Sequence, residues 1–122
     1  MMNKAIMIDT DILIDFLRGY EEAASYLKAR SKEIVLSAVV VAELYAGVKD
    51  DRERAELDEF VALFPVLSVT SEIAKAGGLY KREYHLSHGV GLADALIAAT
   101  AVAHKADLKT FNIKHYPCIL KI

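Results

Sequence analysis

Lys4-Ala5-Ile6-Met7-Ile8-Asp9-Thr10-Asp11-Ile12-Leu13-Ile14-Asp15 is the stretch whose reading decides the fold. An apolar run this short, ended abruptly by polar residues, reads as a strand buried on both faces. Thr10 or Asp11 is then placed to cap a helix carrying Ile12, Leu13, Phe16 and Leu17 and closed by Gly19. Outward from there the alternation repeats. A helix is expected over 21–30, with Ala24, Tyr26 and Leu27 inward, then a strand over 33–37 and a helix over 39–48. From 49 to 59 nine of eleven residues are charged, with mixed signs at helical spacing, which marks a solvated helix face. Pro65 stops that helix, and a third strand follows over 66–69.

Ser71 is placed to cap the next helix, where Ile73, Ala76, Tyr80 and Tyr84 share a face. Gly77-Gly78 inside it costs ~2 kcal/mol against two alanines, so close helix packing is expected there. The segment 92–103 is apolar apart from Asp94 and Thr100 and reads as a central buried helix; short strands over 108–111 and 118–120 complete the pattern. Short apolar strands alternating with helices specify an α/β fold in three layers: a central, mostly parallel sheet of about five strands with helices on both faces. Ligands of such sheets lie beyond the carboxyl ends of the strands.

Composition narrows the class. The 122 residues suit one domain, 1–122, and 54% hydrophobic against 26% charged residues exclude a disordered chain. Cys118 is the sole cysteine, so neither an internal disulfide nor a cysteine-built zinc site can form, and the four histidines lack metal-binding spacing. The longest charge-free stretch, 60–71, has 12 residues and contains Pro65, too short for a bilayer; the apolar run before Asp9 is too short for a secretory signal. A cytoplasmic domain is expected. The net charge of −2 excludes nucleic-acid binding by bulk charge, so any such role rests on a local patch or a metal.

Three carboxylates stand apart from the solvated acids. Asp9 ends the first strand, Glu43 lies shortly after the second, and Asp94 opens the apolar helix. Burying an ionised carboxylate costs several kcal/mol without a partner, and no basic residue lies within four positions of Glu43 or Asp94. If the three converge, each close pair repels by ~4 kcal/mol at an effective dielectric near 20, and Mg²⁺ or Mn²⁺ is the simplest relief. Singly, each has a plainer reading. Asp94 suits a helix N-terminus, Asp11 a cap, Ser37 and Thr100 caps or turns, and His115 a surface loop.

The combined pattern of residues 8–15, Leu36-Ser37 through Glu43-Leu44-Tyr45-Ala46-Gly47, residues 93–100 and Thr110-Phe111-Asn112 resembles the PIN-domain ribonucleases, and among them the VapC toxins of type II toxin–antitoxin systems. The resemblance spans essentially the whole chain. It implies a metal-dependent endoribonuclease with Mg²⁺ or Mn²⁺ in an acidic pocket, RNA as substrate, a homodimer, and a cognate antitoxin. Carried onto this sequence, it names Asp9, Glu43 and Asp94 as catalytic and metal-binding, with Thr10, Asp11, Thr110 and Asn112 around them. Two departures stand out: Val40 where the family often has threonine, and Asn112 and His115 where a fourth acid usually follows. The second makes a two-metal site less expected than a one-metal site.

Lys81, Arg82, Lys105, Lys109 and Lys114 are the bases best placed to flank the pocket, and of these Lys109 and Lys114 are the ones expected to touch RNA. The apolar residues of the first helix, with Tyr20 and Tyr26-Leu27, are candidates for a groove that takes an antitoxin helix. Aspartyl-phosphate phosphatases and receiver domains are rival readings of Asp9-Thr10-Asp11, but the chain lacks the former's later acidic pair and the latter's mid-chain acceptor. The alternative from another class is a non-catalytic or weakly active module that binds metal or RNA and works through protein partners.

Overall fold

The order of elements follows the alternation of the sequence. The computed structural model describes residues 4–117. Its elements are β1 (Ile6–Ile8), α1 (Thr10–Leu17), α2 (Glu21–Ala29), β2 (Ile34–Ser37), α3 (Ala38–Ala46), α4 (Asp51–Val61), β3 (Val66–Leu67), α5 (Ser71–His88), α6 (Leu92–Ala103) and β4 (Asp107–Lys109). A 3-10 turn, Ile113–His115, follows. Every strand pairing is parallel, in the order β3-β2-β1-β4. The described residues thus form four strands rather than about five; the remaining expected strand, over 118–120, lies outside them.

β1 is central because all three of its residues are apolar and it must be covered on both faces: Ile6, Met7 and Ile8 are buried. Met7 pairs with Val35 on one side and Leu108 on the other. From β1 the chain moves through β2 to β3 on one side, then crosses back to lay β4 on the other. Direction therefore reverses between β1 and β4, and the crevice beyond their carboxyl ends is where a sheet of this kind binds ligands. Asp9 follows β1 into this crevice, and Thr110 follows β4.

Local expectations shift by small amounts. Asp9, not Thr10 or Asp11, caps α1: its backbone is extended and its side chain accepts from Thr10 N. Thr70 rather than Ser71 caps α5, because its hydroxyl reaches Ile73 N at 3.2 Å. β3 covers Val66–Leu67 rather than 66–69, and β4 covers Asp107–Lys109 rather than 108–111, because these are the residues that pair with β2 and β1. α6 buries Ala95 and Ile97 through Ala101 but leaves Leu92 and Val102 exposed, so it is a covered helix with two open ends. Thr100 is fully buried because its hydroxyl donates back to Leu96 O at 2.7 Å. α5 packs on α6 at Gly77, where a Cβ would lie 2.6 Å from Leu96 Cδ2 and 3.2 Å from Leu96 Cα; Gly78 faces open space. Close packing thus accounts for one glycine of the pair. No helix of the described residues is long and apolar enough to cross a membrane.

Candidate active site

Two segments meet in the crevice: residues 9–11 after β1 and residues 110–116 after β4. Asp9 is the hub, only 6% exposed. Its Oδ1 accepts from Thr10 N at 2.8 Å, and its Oδ2 accepts from Thr110 Oγ1 at 2.7 Å and from the Tyr116 hydroxyl at 2.8 Å. The same hydroxyl lies 3.2 Å from Asp94 Oδ1. Asp9 stands at the N-terminus of α1 and Asp94 in the first turn of α6, where the helix dipole favours negative charge by ~0.3–1 kcal/mol each.

Asp11 serves the neighbouring loop. Its Oδ2 accepts from Phe111 N at 3.0 Å and Asn112 Nδ2 at 3.1 Å, with Thr110 Oγ1 at 3.4 Å, while Oδ1 accepts from Ile12 N at 2.7 Å. Asn112 thus reaches the pocket through Asp11. Glu43, exposed on α3, accepts from Thr10 Oγ1 at 2.6 Å. Ser37 is spent on capping α3, its hydroxyl accepting from Val39 N at 3.0 Å.

The electrostatics converge on Asp9. Burial, and then the charge of Asp9, raise the Asp94 carboxyl above its ordinary range, against opposing hydrogen bonds from Tyr116 and His115. Burial and the same charge raise Asp11, against backbone hydrogen bonds from Phe111 and Ile12. Burial first, then Asp9, push the Tyr116 phenol far upward, so Tyr116 remains a protonated donor. Crowded negative charge of this kind is what a divalent cation relieves, and donors that are all carboxylate oxygens suit Mg²⁺ or Mn²⁺. As the side chains stand, no three His, Cys, Asp or Glu residues among those described are close enough to enclose an ion. The structure joins Asp9 to Asp94 through one hydroxyl and links Glu43 to Thr10 beside them.

Residues 6–116 match the family model of the PIN domain. The chain belongs to the PIN-domain family. It is similar to Ribonuclease VapC19 of Mycobacterium tuberculosis (strain ATCC 25618 / H37Rv), with 44% identity over 116 residues and 91% of each chain covered. Ribonuclease VapC10 of the same strain is 39% identical over 115 residues, covering 92% of this chain and 86% of that one. Among solved structures it resembles a toxin-antitoxin complex from Klebsiella pneumoniae, with a TM-score of 0.80 and 28% identity over 92% of this chain and 90% of that one. VapBC2 from Rickettsia felis, bound to a promoter DNA fragment, matches with a TM-score of 0.76 and 25% identity over 93% and 92% of the two chains.

The other sequence candidates in this PIN domain make contacts of their own. Lys109 sits in β4 with Nζ 5.3 Å from the Tyr26 ring centroid, a cation–π contact with α2, while Lys114 is exposed in the 3-10 turn. Lys81 donates to Val90 O at 3.3 Å and so braces the turn before α6. His115 is not merely a loop histidine: its Nδ1 lies 3.4 Å from Asp94 Oδ2. Sequence reasoning missed Tyr116. Its signal was faint, an aromatic six residues after Thr110 whose hydroxyl, once the ring is buried, must find a partner.

The expected antitoxin surface also changes. Ile12, Leu13 and Leu27 belong to the main core, whereas Ile14 and Leu17 are exposed on α1. An open groove of about 520 Å³ runs between α1, α3 and α4, lined by Ile14, Leu17, Leu44, Val48 and Leu57 with Arg18, Lys49, Glu53 and Glu56, and Glu43 is on its wall.

Proposed function

We propose that this chain, as a single domain over 1–122, is a Mg²⁺- or Mn²⁺-dependent endoribonuclease, the toxin of a toxin–antitoxin pair. The observation that carries the reading is the Asp9–Asp94 pair, two carboxylates sharing one hydroxyl at the crevice between β1 and β4. The similar proteins named Ribonuclease VapC19 and VapC10 support the activity. Asp9 and Asp94 would be the principal holders of the cation, with Glu43 beside them. When bound, the cation lowers the pKa of a water and offsets negative charge on the phosphoryl oxygens. Glu43, with Oε1 fixed by Thr10, either joins the ligands or takes the proton of the attacking water at its other oxygen. Thr110 keeps Asp9 oriented, and Asp11 with Asn112 holds the 110–112 loop against α1. Lys109 and Lys114 would flank the RNA.

The solved toxin–antitoxin complexes support a protein partner. The groove beside Glu43 suits an amphipathic helix whose apolar face meets Leu17, Leu44 and Leu57, and such a helix can carry a basic side chain to the carboxylates. A homodimer in the cytoplasm completes the reading. Because no three described acids enclose an ion as they stand, a weakly active or non-catalytic binding module is the second reading. Incubation of single-stranded RNA with the purified chain separates the two. Cleavage that requires Mn²⁺ or Mg²⁺ and disappears in Asp9→Asn and Asp94→Asn supports the nuclease; RNA bound but uncut at any metal concentration supports the module.

A further inference from the structure

We infer that the Tyr116 hydroxyl is the positioning group of the acidic pocket, fixing Asp9 and Asp94 relative to one another and leaving Asp9 Oδ1 as the oxygen presented to a cation. The inference rests on the metal-site reading above. An ionised carboxylate offers about four lone-pair sites. On Asp9 both sites of Oδ2 are taken, by Thr110 Oγ1 at 2.7 Å and Tyr116 Oη at 2.8 Å. One site of Oδ1 is taken by Thr10 N at 2.8 Å. The site that remains is on Oδ1, which makes Asp9 a one-oxygen ligand.

A phenol has one proton, and its shorter contact makes Asp9 the main acceptor. The second contact, 3.2 Å to Asp94 Oδ1, holds the other carboxylate at a set distance through the same oxygen. Tyr116 can do this because its ring is only 2% exposed and packs in the main core, directly after the 3-10 turn that follows β4. A fourth acid at this end of the pocket would add attraction for a cation and repulsion between ligands. A tyrosine adds neither. It acts by orientation, compensating in geometry for a charge the chain lacks.

Tyr116→Phe removes the oxygen and keeps the ring. Calorimetric titration of the full chain with Mn²⁺ should show binding ten- to a hundredfold weaker than in the parent, the usual loss when a group that orients a metal ligand is removed. Turnover of RNA should fall while KM for RNA stays near the parent value. Tyr116→Leu, which also lacks the hydroxyl but fills the space differently, should lose Mn²⁺ affinity by a similar factor, so the effect is not one of packing. Circular dichroism identifies the folded variant to be titrated. Parent-like Mn²⁺ affinity in a folded variant, with or without a lower melting temperature, overturns the inference and leaves the metal site standing. Absence of Mn²⁺ binding by the parent overturns both.

Discussion

Asp94→Asn should make the metal-free protein more stable while abolishing cleavage. The Asp9 and Asp94 oxygens that share the Tyr116 hydroxyl lie 2.8 and 3.2 Å from it, so they are at most about 6 Å apart. Two unit charges about 6 Å apart repel by ~0.7 kcal/mol in bulk water and ~3 kcal/mol at an effective dielectric of 20. The Asp94 side chain is 30% exposed, which places the true figure between those limits. Asparagine keeps an acceptor for Tyr116 and removes the charge. Its costs are the contact with His115, a partly exposed pair at 3.4 Å worth ~0–1 kcal/mol, and the favourable place of the charge in the first turn of α6, worth ~0.3–1 kcal/mol. The net expectation is ~1 kcal/mol of added stability at pH 7 in EDTA, or a few degrees in Tm for a domain of this size. Urea denaturation with and without Mn²⁺ tests it. Under Mn²⁺ the order should reverse, because a ligand at 100 times its Kd adds ~2.7 kcal/mol to whichever protein binds it. A variant clearly less stable than the parent in EDTA would refute the claim that the paired carboxylates are in conflict.

The same conflict has a pH signature. Asp94 and Asp11 have folded pKa values raised above 3.8, so the native state holds protons more tightly than the unfolded one, and these groups cost stability that is absent below about pH 3.8 and fully present above the raised values. Metal-free melts across that window should show Asp94→Asn gaining on the parent as pH rises; a constant difference would contradict the sign. Gly77→Ala should destabilise by ~1–3 kcal/mol, since its Cβ would meet Leu96 at 2.6 Å, whereas Gly78→Ala, in open space, should stabilise by up to ~1 kcal/mol; chemical denaturation of the two side by side decides it. Lys109→Ala and Lys114→Ala should weaken RNA binding, flatten its dependence on log salt by ~0.7 per lost phosphate contact, and leave Mn²⁺ affinity unchanged. Salt titrations that superimpose on the parent would exclude these lysines from the RNA path.

Much of the fold was legible because its signals are local. The run Ile6-Met7-Ile8 had to be covered on both sides wherever it lay, and the alternation with helices left a parallel sheet as the arrangement that covers it. Asp9, Glu43 and Asp94 stood out for a similar reason: a charge in an apolar setting is conspicuous before any contact is known. The expected caps of α1, Thr10 or Asp11, lie one and two residues past the observed Asp9, because all three suit a cap and only backbone conformation separates them. Tertiary structure alone decided what depends on chain segments meeting. β4 lies beside β1 after a separation of about a hundred residues, and that pairing is what carries Thr110 and Tyr116 to Asp9. A tyrosine six residues past a threonine has no periodicity that points to a carboxylate 107 positions earlier. Likewise Gly77 and Gly78 are the same letter in sequence, and only the approach of α6 makes one indispensable and the other free. Sequence determines which groups must find partners; the reversal of strand order between β1 and β4 determines which partners they find.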